Sequence, residues 1–271
     1  MSKIKWYYRD SLKEASSLLR NKKIIPHGGG THLNNTDLSH VEGLLDLSGL
    51  KLNYINKEKD IIKIGSMSTY AEVVNWFEEN SPECLLLQTL HNSANTPLQN
   101  RITIGGSLGH IPQWSDLIGA LLALEAKVIL MGKNKGEYNI SDFWNNNKLR
   151  ESSLIVAVKF KDVPHKSFHY REIKTNNDMP LFTITTLFDM QNGIINNMHA
   201  YIGGTRDRVS KLAKLERYMI GKKRKHLNGN EIKSLVNVIF IGNRTTDNAY
   251  LAEKAKIETW RSIIHAMEKN Q

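Results

Sequence analysis

Apolar residues along the chain fall into two rhythms, short unbroken runs and stripes at helical spacing. Leu12, Ala15, Leu18 and Leu19 share one helical face. Ser11 and Glu14 precede that stripe at capping-box spacing. Ile24-Ile25 reads as a buried strand and residues 43–47 as the next, which predicts a strand–helix–strand unit over 1–54. A second unit, 55–163, opens with the strand Ile61–Gly65 and a helix through Val73, Val74, Trp76 and Phe77. Thr69 and Glu72 stand at capping-box spacing ahead of that helix. After Pro82 come a short apolar run and an Asn-rich stretch (Asn92, Asn95, Asn100). A helix over 117–124 then leads into strands at 127–131 and 154–160. The remainder, 164–271, begins with strand-like segments at 168–173 and 181–190. Gln191-Asn192-Gly193 is a hairpin signal before a third strand at 198–203. Helices are expected at 209–220, 230–239 and 247–269, so this last part reads as a three-stranded antiparallel sheet packed with helices. The class is α+β.

Composition narrows the chemistry. Apolar residues make up 40% of the 271 and charged residues 24%, ordinary values for a globular protein. No apolar run approaches the roughly 18–20 residues a transmembrane helix needs. The start, Met1-Ser2-Lys3-Ile4-Lys5-Trp6, lacks the apolar stretch of a secretory signal. A cytoplasmic protein with no membrane span is therefore expected. Cys84 is the single cysteine, so no intrachain disulfide can form. Iron–sulfur clusters generally need about four ligands, mostly thiolates. A one-electron relay would have to come from a partner. The formal charge of +10 is spread along the chain apart from Lys222-Lys223-Arg224-Lys225-His226. That run reads as a solvated loop or a docking surface for an acidic partner. No helix-turn-helix, zinc-finger or ribonucleoprotein pattern accompanies it, so nucleic acid is not an expected partner.

Two glycine clusters carry the candidate chemistry. Gly28-Gly29-Gly30-Thr31 follows the apolar run ending at Pro26, and Gly105-Gly106 follows Thr103-Ile104. Two glycine turns at strand ends suit a ligand with an extended phosphate, because glycine lets backbone N–H groups approach oxygens closely. A G-x-G-x-x-G fingerprint and a G-x-x-x-x-G-K-[ST] loop are both missing, which disfavours Rossmann and P-loop sites. No H-E-x-x-H spacing supports a metal at the pairs His27/His32 or His91/His110, and no G-x-S-x-G supports a hydrolase. Asp116 opens a helix and reads first as a cap for it.

Together these residues resemble the FAD-binding subunit of molybdenum-containing hydroxylases, the group of xanthine dehydrogenase and the medium subunit of carbon monoxide dehydrogenase. A family turn like A-G-G-T-x-L is matched by Gly28-Gly29-Gly30-Thr31-His32-Leu33. One like R-N-x-x-T-I-G-G-N-L is matched by Asn100-Arg101-Ile102-Thr103-Ile104-Gly105-Gly106-Ser107-Leu108. The S-D-L stretch that follows is matched from Ser115-Asp116-Leu117 to Val128. Ser107 stands where Asn is usual, and His110-Ile111-Pro112-Gln113-Trp114 where smaller residues are common.

The resemblance implies a two-part FAD-binding domain of the PCMH (vanillyl-alcohol-oxidase-like) type, over 1–54 and 55–163. A C-terminal domain like that of the carbon monoxide dehydrogenase flavoprotein would occupy 164–271. It implies FAD contacts from Pro26, His27, Gly28, Gly29, Gly30, Thr31, His32, Leu33, Thr103, Ile104, Gly105, Gly106 and Ser107, and from Asp116, Asp178 and Leu181. No catalytic or metal-ligating residue is expected. The implied partners are an iron–sulfur subunit and a molybdenum-cofactor subunit, with NAD or another acceptor taking the electrons. The alternatives are a scaffold that has lost flavin and a free-standing FAD oxidoreductase.

Overall fold

The structure is a computed structural model that describes residues 4–33, 36–151, 153–175, 178–240 and 248–268. The chain divides into two compact units. The first comprises Met1–Asn80, Asn95–Ile111 and Glu125–Asp162, and the second Ser81–Ala94, Pro112–Leu124 and Val163–Gln271. The segments 81–94 and 112–124 thus fold with the C-terminal part, although the sequence reading places them within 55–163.

The first unit holds two sheets. Strands β1 (Lys5–Tyr8), β2 (Ile24–His27) and β3 (Gly43–Asp46) form a parallel sheet in the order β1-β3-β2. Pro26 has no amide to donate, and it lies on the edge strand β2 where this is tolerated. The Leu12–Leu18 helix starts at Ser11, whose hydroxyl accepts the Glu14 amide. Ala15 and Leu19 bury against Ile24, Leu45, Leu47 and Leu50.

The second sheet consists of β4 (Ile55–Glu58), β5 (Ile61–Gly65), β6 (Lys127–Gly132), β7 (Gly136–Asn139) and β8 (Ser153–Lys161), ordered β4-β5-β8-β6-β7. Ile62 and Ile64 alternate inward, as do Val128 and Leu130. The Tyr70–Asn80 helix lays Val73 and Phe77 over this sheet, with Phe77 stacked on Phe160 at 6.3 Å. Its start is a reciprocal box. The Thr69 amide donates to Glu72 Oε2 at 2.8 Å, and the Glu72 amide donates to Thr69 Oγ1 at 3.3 Å.

The second unit is an antiparallel sheet of β9 (Lys166–Glu172), β10 (Phe182–Gln191), β11 (Ile194–Thr205) and β12 (Arg208–Lys211), ordered β12-β11-β10-β9. It has one strand more than the sequence predicts, because Arg208–Lys211 lies where a helix was expected. The helix there is confined to Ala213–Met219. The Asn192-Gly193 turn closes the β10–β11 hairpin with φ of 52° and 72°, as its sequence requires. Helices Gly229–Leu235 and Asn248–Glu268 complete the layer. The first ends earlier than the expected 239, and Asp247 and Lys269 lie outside the described residues. Phe182, Ile184, Phe188, Ile195, Met198 and Ile202 from the sheet pack with Leu215, Met219, Ile232, Leu251 and Ile263 from the helices.

Candidate functional site

Within the first unit the structure brings the two glycine segments against each other. The loop 28–33 leaves the end of β2, and residues 101–107 form the entry to the Ile104–His110 helix. A Cβ on Gly29 would fall inside the carbonyl group of Arg101, so a side chain there is excluded by main chain. A Cβ on Gly28 would lie 3.2 Å from Thr103 Oγ1 and 3.3 Å from Met67 Sδ. Gly30 has φ +71°, the left-handed region that favours glycine. Arg101 ties the same contact from the other side, donating from Nε and Nη2 to the Gly29 carbonyl at 3.2 and 3.0 Å.

The second glycine segment is the opening of a helix, not the free turn its Gly-Gly pair predicts. Thr103 caps it, its Oγ1 accepting the Gly106 amide at 3.1 Å. The Ile104 amide donates to Ser68 O at 3.0 Å and the Gly105 amide to Ser66 O at 2.8 Å. The Ser107 amide donates to Thr103 O. Four consecutive donors, 104 to 107, are therefore spent inside the protein. Gly105 is required for this packing, since a Cβ there would meet the Ser66 carbonyl oxygen at 2.8 Å. Ser107 accepts a hydrogen bond from the Tyr70 hydroxyl at 2.8 Å.

The first loop is different. Among the described residues, the amides of Gly29, Gly30 and Thr31 meet no acceptor. Adjacent unspent N–H groups beside an arginine and a glycine-lined surface form a cradle for an anionic group. His32 stacks on His110, and its ring nitrogen Nε2 meets Thr36 Oγ1 at 3.0 Å. Partial burial lowers the His32 pKa, which keeps the ring neutral near pH 7. His27 packs its ring against the edge of Trp6 at 4.9 Å.

Asp116, Asp178 and Leu181 belong to the second unit. The Asp116–Ala123 helix is capped by Ser115, whose Oγ accepts the Ile118 amide. This leaves Asp116 for another task. Its Oδ1 accepts from Arg171 Nε at 2.8 Å and faces His169 Nε2 at 3.3 Å. His169 Nδ1 in turn meets Thr185 Oγ1 at 3.0 Å, and Arg171 also donates to the carbonyls of Asn92 and Ser93. All three side chains are buried, with exposures of 7%, 1% and 10% for Asp116, His169 and Arg171. The cluster binds the segments 81–94 and 112–124 to β9 and β10. Asp178 closes a turn, its carboxylate accepting the Thr175 amide at 3.1 Å. Leu181 packs against the core of the second unit. Gln113 donates to the carbonyls of Gly204 and Thr205 at 3.3 and 3.2 Å.

Sequence reading quotes Arg101 within a motif without giving it a contact, and passes over His169 and Arg171. A lone arginine before a helix carries no spacing signal, and the partners of Asp116 lie over fifty residues away in the chain. Among the described residues no group of three or more His, Cys, Asp or Glu could hold a metal ion.

Comparison with known proteins identifies the family. Residues 2–163 match the family model described as the FAD binding domain in molybdopterin dehydrogenase. The glyceraldehyde dehydrogenase medium chain of Sulfolobus acidocaldarius is 23% identical over 241 residues, covering 85% of this chain and 84% of that protein. The nicotinate dehydrogenase FAD-subunit of Eubacterium barkeri is 26% identical over 165 residues, 58% of this chain and 56% of that one. A chain of the carbon monoxide dehydrogenase from Hydrogenophaga pseudoflava superposes with a TM-score of 0.88 at 17% identity, with 97% of each chain covered. The fold is therefore that of the PCMH-type FAD domain with its C-terminal partner domain. The family match spans more than half of the 271 residues, and the chain belongs to the FAD-binding domain family of the molybdopterin dehydrogenases, with FAD as its cofactor.

Proposed function

We propose that this chain is the FAD-carrying electron-transfer subunit of a molybdenum hydroxylase complex of the xanthine dehydrogenase type. The observation that carries the reading is the loop 28–33 beside Arg101, where the amides of Gly29, Gly30 and Thr31 meet no acceptor among the described residues. That donor set fits the pyrophosphate of FAD. The role of these residues is to bind and orient. Gly28 and Gly29 let the loop lie against 101–103, and Gly30 takes the backbone turn that spreads its neighbours' amides. When bound, FAD supplies the redox chemistry, taking single electrons from iron–sulfur clusters and handing pairs to NAD or another acceptor.

The names of the relatives, a medium chain and an FAD-subunit, support assignment as one subunit among several. The single cysteine supports placing the [2Fe–2S] clusters in a partner. The molybdenum centre and the hydroxylated substrate, a purine or another heteroaromatic, are assigned to a further partner. Asp116, Asp178 and Leu181 remain proposed FAD contacts. Asp116 has Oδ2 available for such a contact, since both of its hydrogen bonds use Oδ1. A cytoplasmic site of action is part of the proposal. No helix among the described residues is long and apolar enough to cross a membrane. The test is reconstitution of the purified chain with its iron–sulfur and molybdenum partners. Flavin reduction by substrate only in the full assembly supports the reading, and flavin reduction by substrate in the isolated chain overturns it.

A further inference from the structure

We infer that Arg101 supplies the positive charge that neutralises the FAD pyrophosphate and at the same time sets the orientation of the phosphate loop; the inference rests on the FAD-binding reading above. Arg101 is exposed, and among the described residues no carboxylate pairs with it. Arg171, Arg224 and Arg261 in the same chain each have a carboxylate partner. Two of its five N–H groups are used on the Gly29 carbonyl. Nη1 is uncommitted, and Nη2 stands 3.5 Å from where a Gly30 Cβ would be.

The Gly29–Gly30 peptide is planar, so holding its oxygen fixes its N–H on the opposite side. Arg101 thereby presents the Gly30 amide in one direction and keeps its own charge at the rim of the same loop. Imidazoles also stand at the loop. His27 Nε2 lies 2.8 Å from the same Gly30 position, and His32 stacks on His110. Arg101 is a permanent cation held at the loop by its hydrogen bonds to the Gly29 carbonyl. The helix that follows contributes no amide from 104 to 107, which leaves the charge of the ligand to be met by this side chain.

The experiment is fluorescence titration of FAD onto wild-type protein, Arg101→Gln and Arg101→Lys at low and high salt. Wild type is expected to lose affinity as salt rises, because a phosphate–guanidinium contact at an exposed site is screened. Arg101→Gln is expected to bind FAD about 10- to 100-fold more weakly, with most of the salt dependence gone. Arg101→Lys is expected to bind between the two and to keep the wild-type salt dependence, since it retains charge without the fork. A purely structural role would weaken binding while leaving the salt dependence of Arg101→Gln unchanged, and that result overturns the inference. Wild-type binding indifferent to salt overturns it as well. If Arg101→Gln fails to fold, Arg101→Met is titrated in its place, and the loss or retention of its salt dependence reads the same way. Wild type that takes up no FAD at all contradicts the FAD-binding reading instead.

Discussion

At Gly29 the methyl group of an alanine would occupy the space of the Arg101 carbonyl. Gly29→Ala is therefore expected to push the two glycine segments apart, lowering the melting temperature and abolishing flavin uptake together. Gly106→Ala is the contrasting case. Its added Cβ meets only Thr103 Oγ1 at 2.9 Å, a group that can rotate away, inside a helix that alanine favours by about 0.5–1 kcal/mol. Thermal melts and flavin content should show this variant folded and loaded. Loss of flavin in Gly106→Ala with unchanged stability would mean that the second segment contacts the phosphates after all. Asp116→Asn removes one charge from a buried trio and is expected to destabilise the protein by about 3 kcal/mol in denaturant unfolding. Glycine spacing made legible the two segments that the structure brings together. It did not distinguish glycines that approach a ligand from glycines that approach other main chain, because both leave the same signature. Asp116 was legible as a helix-opening acid, but its pairing with His169 and Arg171 is set by strand register alone.

Among the elements, β1, β4, β7 and β12 left no clear mark in the sequence, and all four are sheet edges. An edge strand with mostly exposed side chains pairs through its backbone, so its sequence need not alternate. Lys5–Tyr8 and Ile55–Glu58 show this, having no fully buried residue. The central strands and capped helices were legible because burial and capping write directly into residue type. The box at Thr69 and Glu72 also has a measurable pH signature. Partial burial raises the Glu72 pKa, but hydrogen bonds from Asn53, the Thr69 amide and the Thr69 hydroxyl outweigh it, and the net shift is downward. A carboxylate with a depressed folded pKa contributes stability above its unfolded pKa of about 4.3 and loses it as pH falls through the folded value. Glu72→Gln is expected to flatten this acid limb of the stability–pH profile at a cost of about 1 kcal/mol at neutral pH. An unchanged acid limb would show that Glu72 does not anchor the helix. At the hairpin, Gly193→Ala meets no atom but forces a left-handed residue, which should cost about 1–2 kcal/mol and leave flavin content unaltered.

For the molecule as a whole, the family and the class of ligand were legible from two glycine motifs spaced some seventy residues apart. The grouping of 81–94 and 112–124 with the C-terminal unit was not, because it rests on contacts distant in sequence, such as those of Arg171 on β9 with the Asn92 and Ser93 carbonyls. The chain purified free of partners and loaded with FAD is expected to show no purine hydroxylation, and steady turnover would refute its role as an electron-transfer subunit. The most direct test of the central claim is the identity of the flavin itself. The purified chain is exposed to equal FAD and FMN, freed of excess, heated to release what is bound, and the supernatant is chromatographed. The proposed role of the loop 28–33 with Arg101 predicts stoichiometric FAD, because it assigns those donors to a pyrophosphate, which FMN lacks. Recovery of FMN alone, or a colourless protein that releases no flavin, would contradict the account.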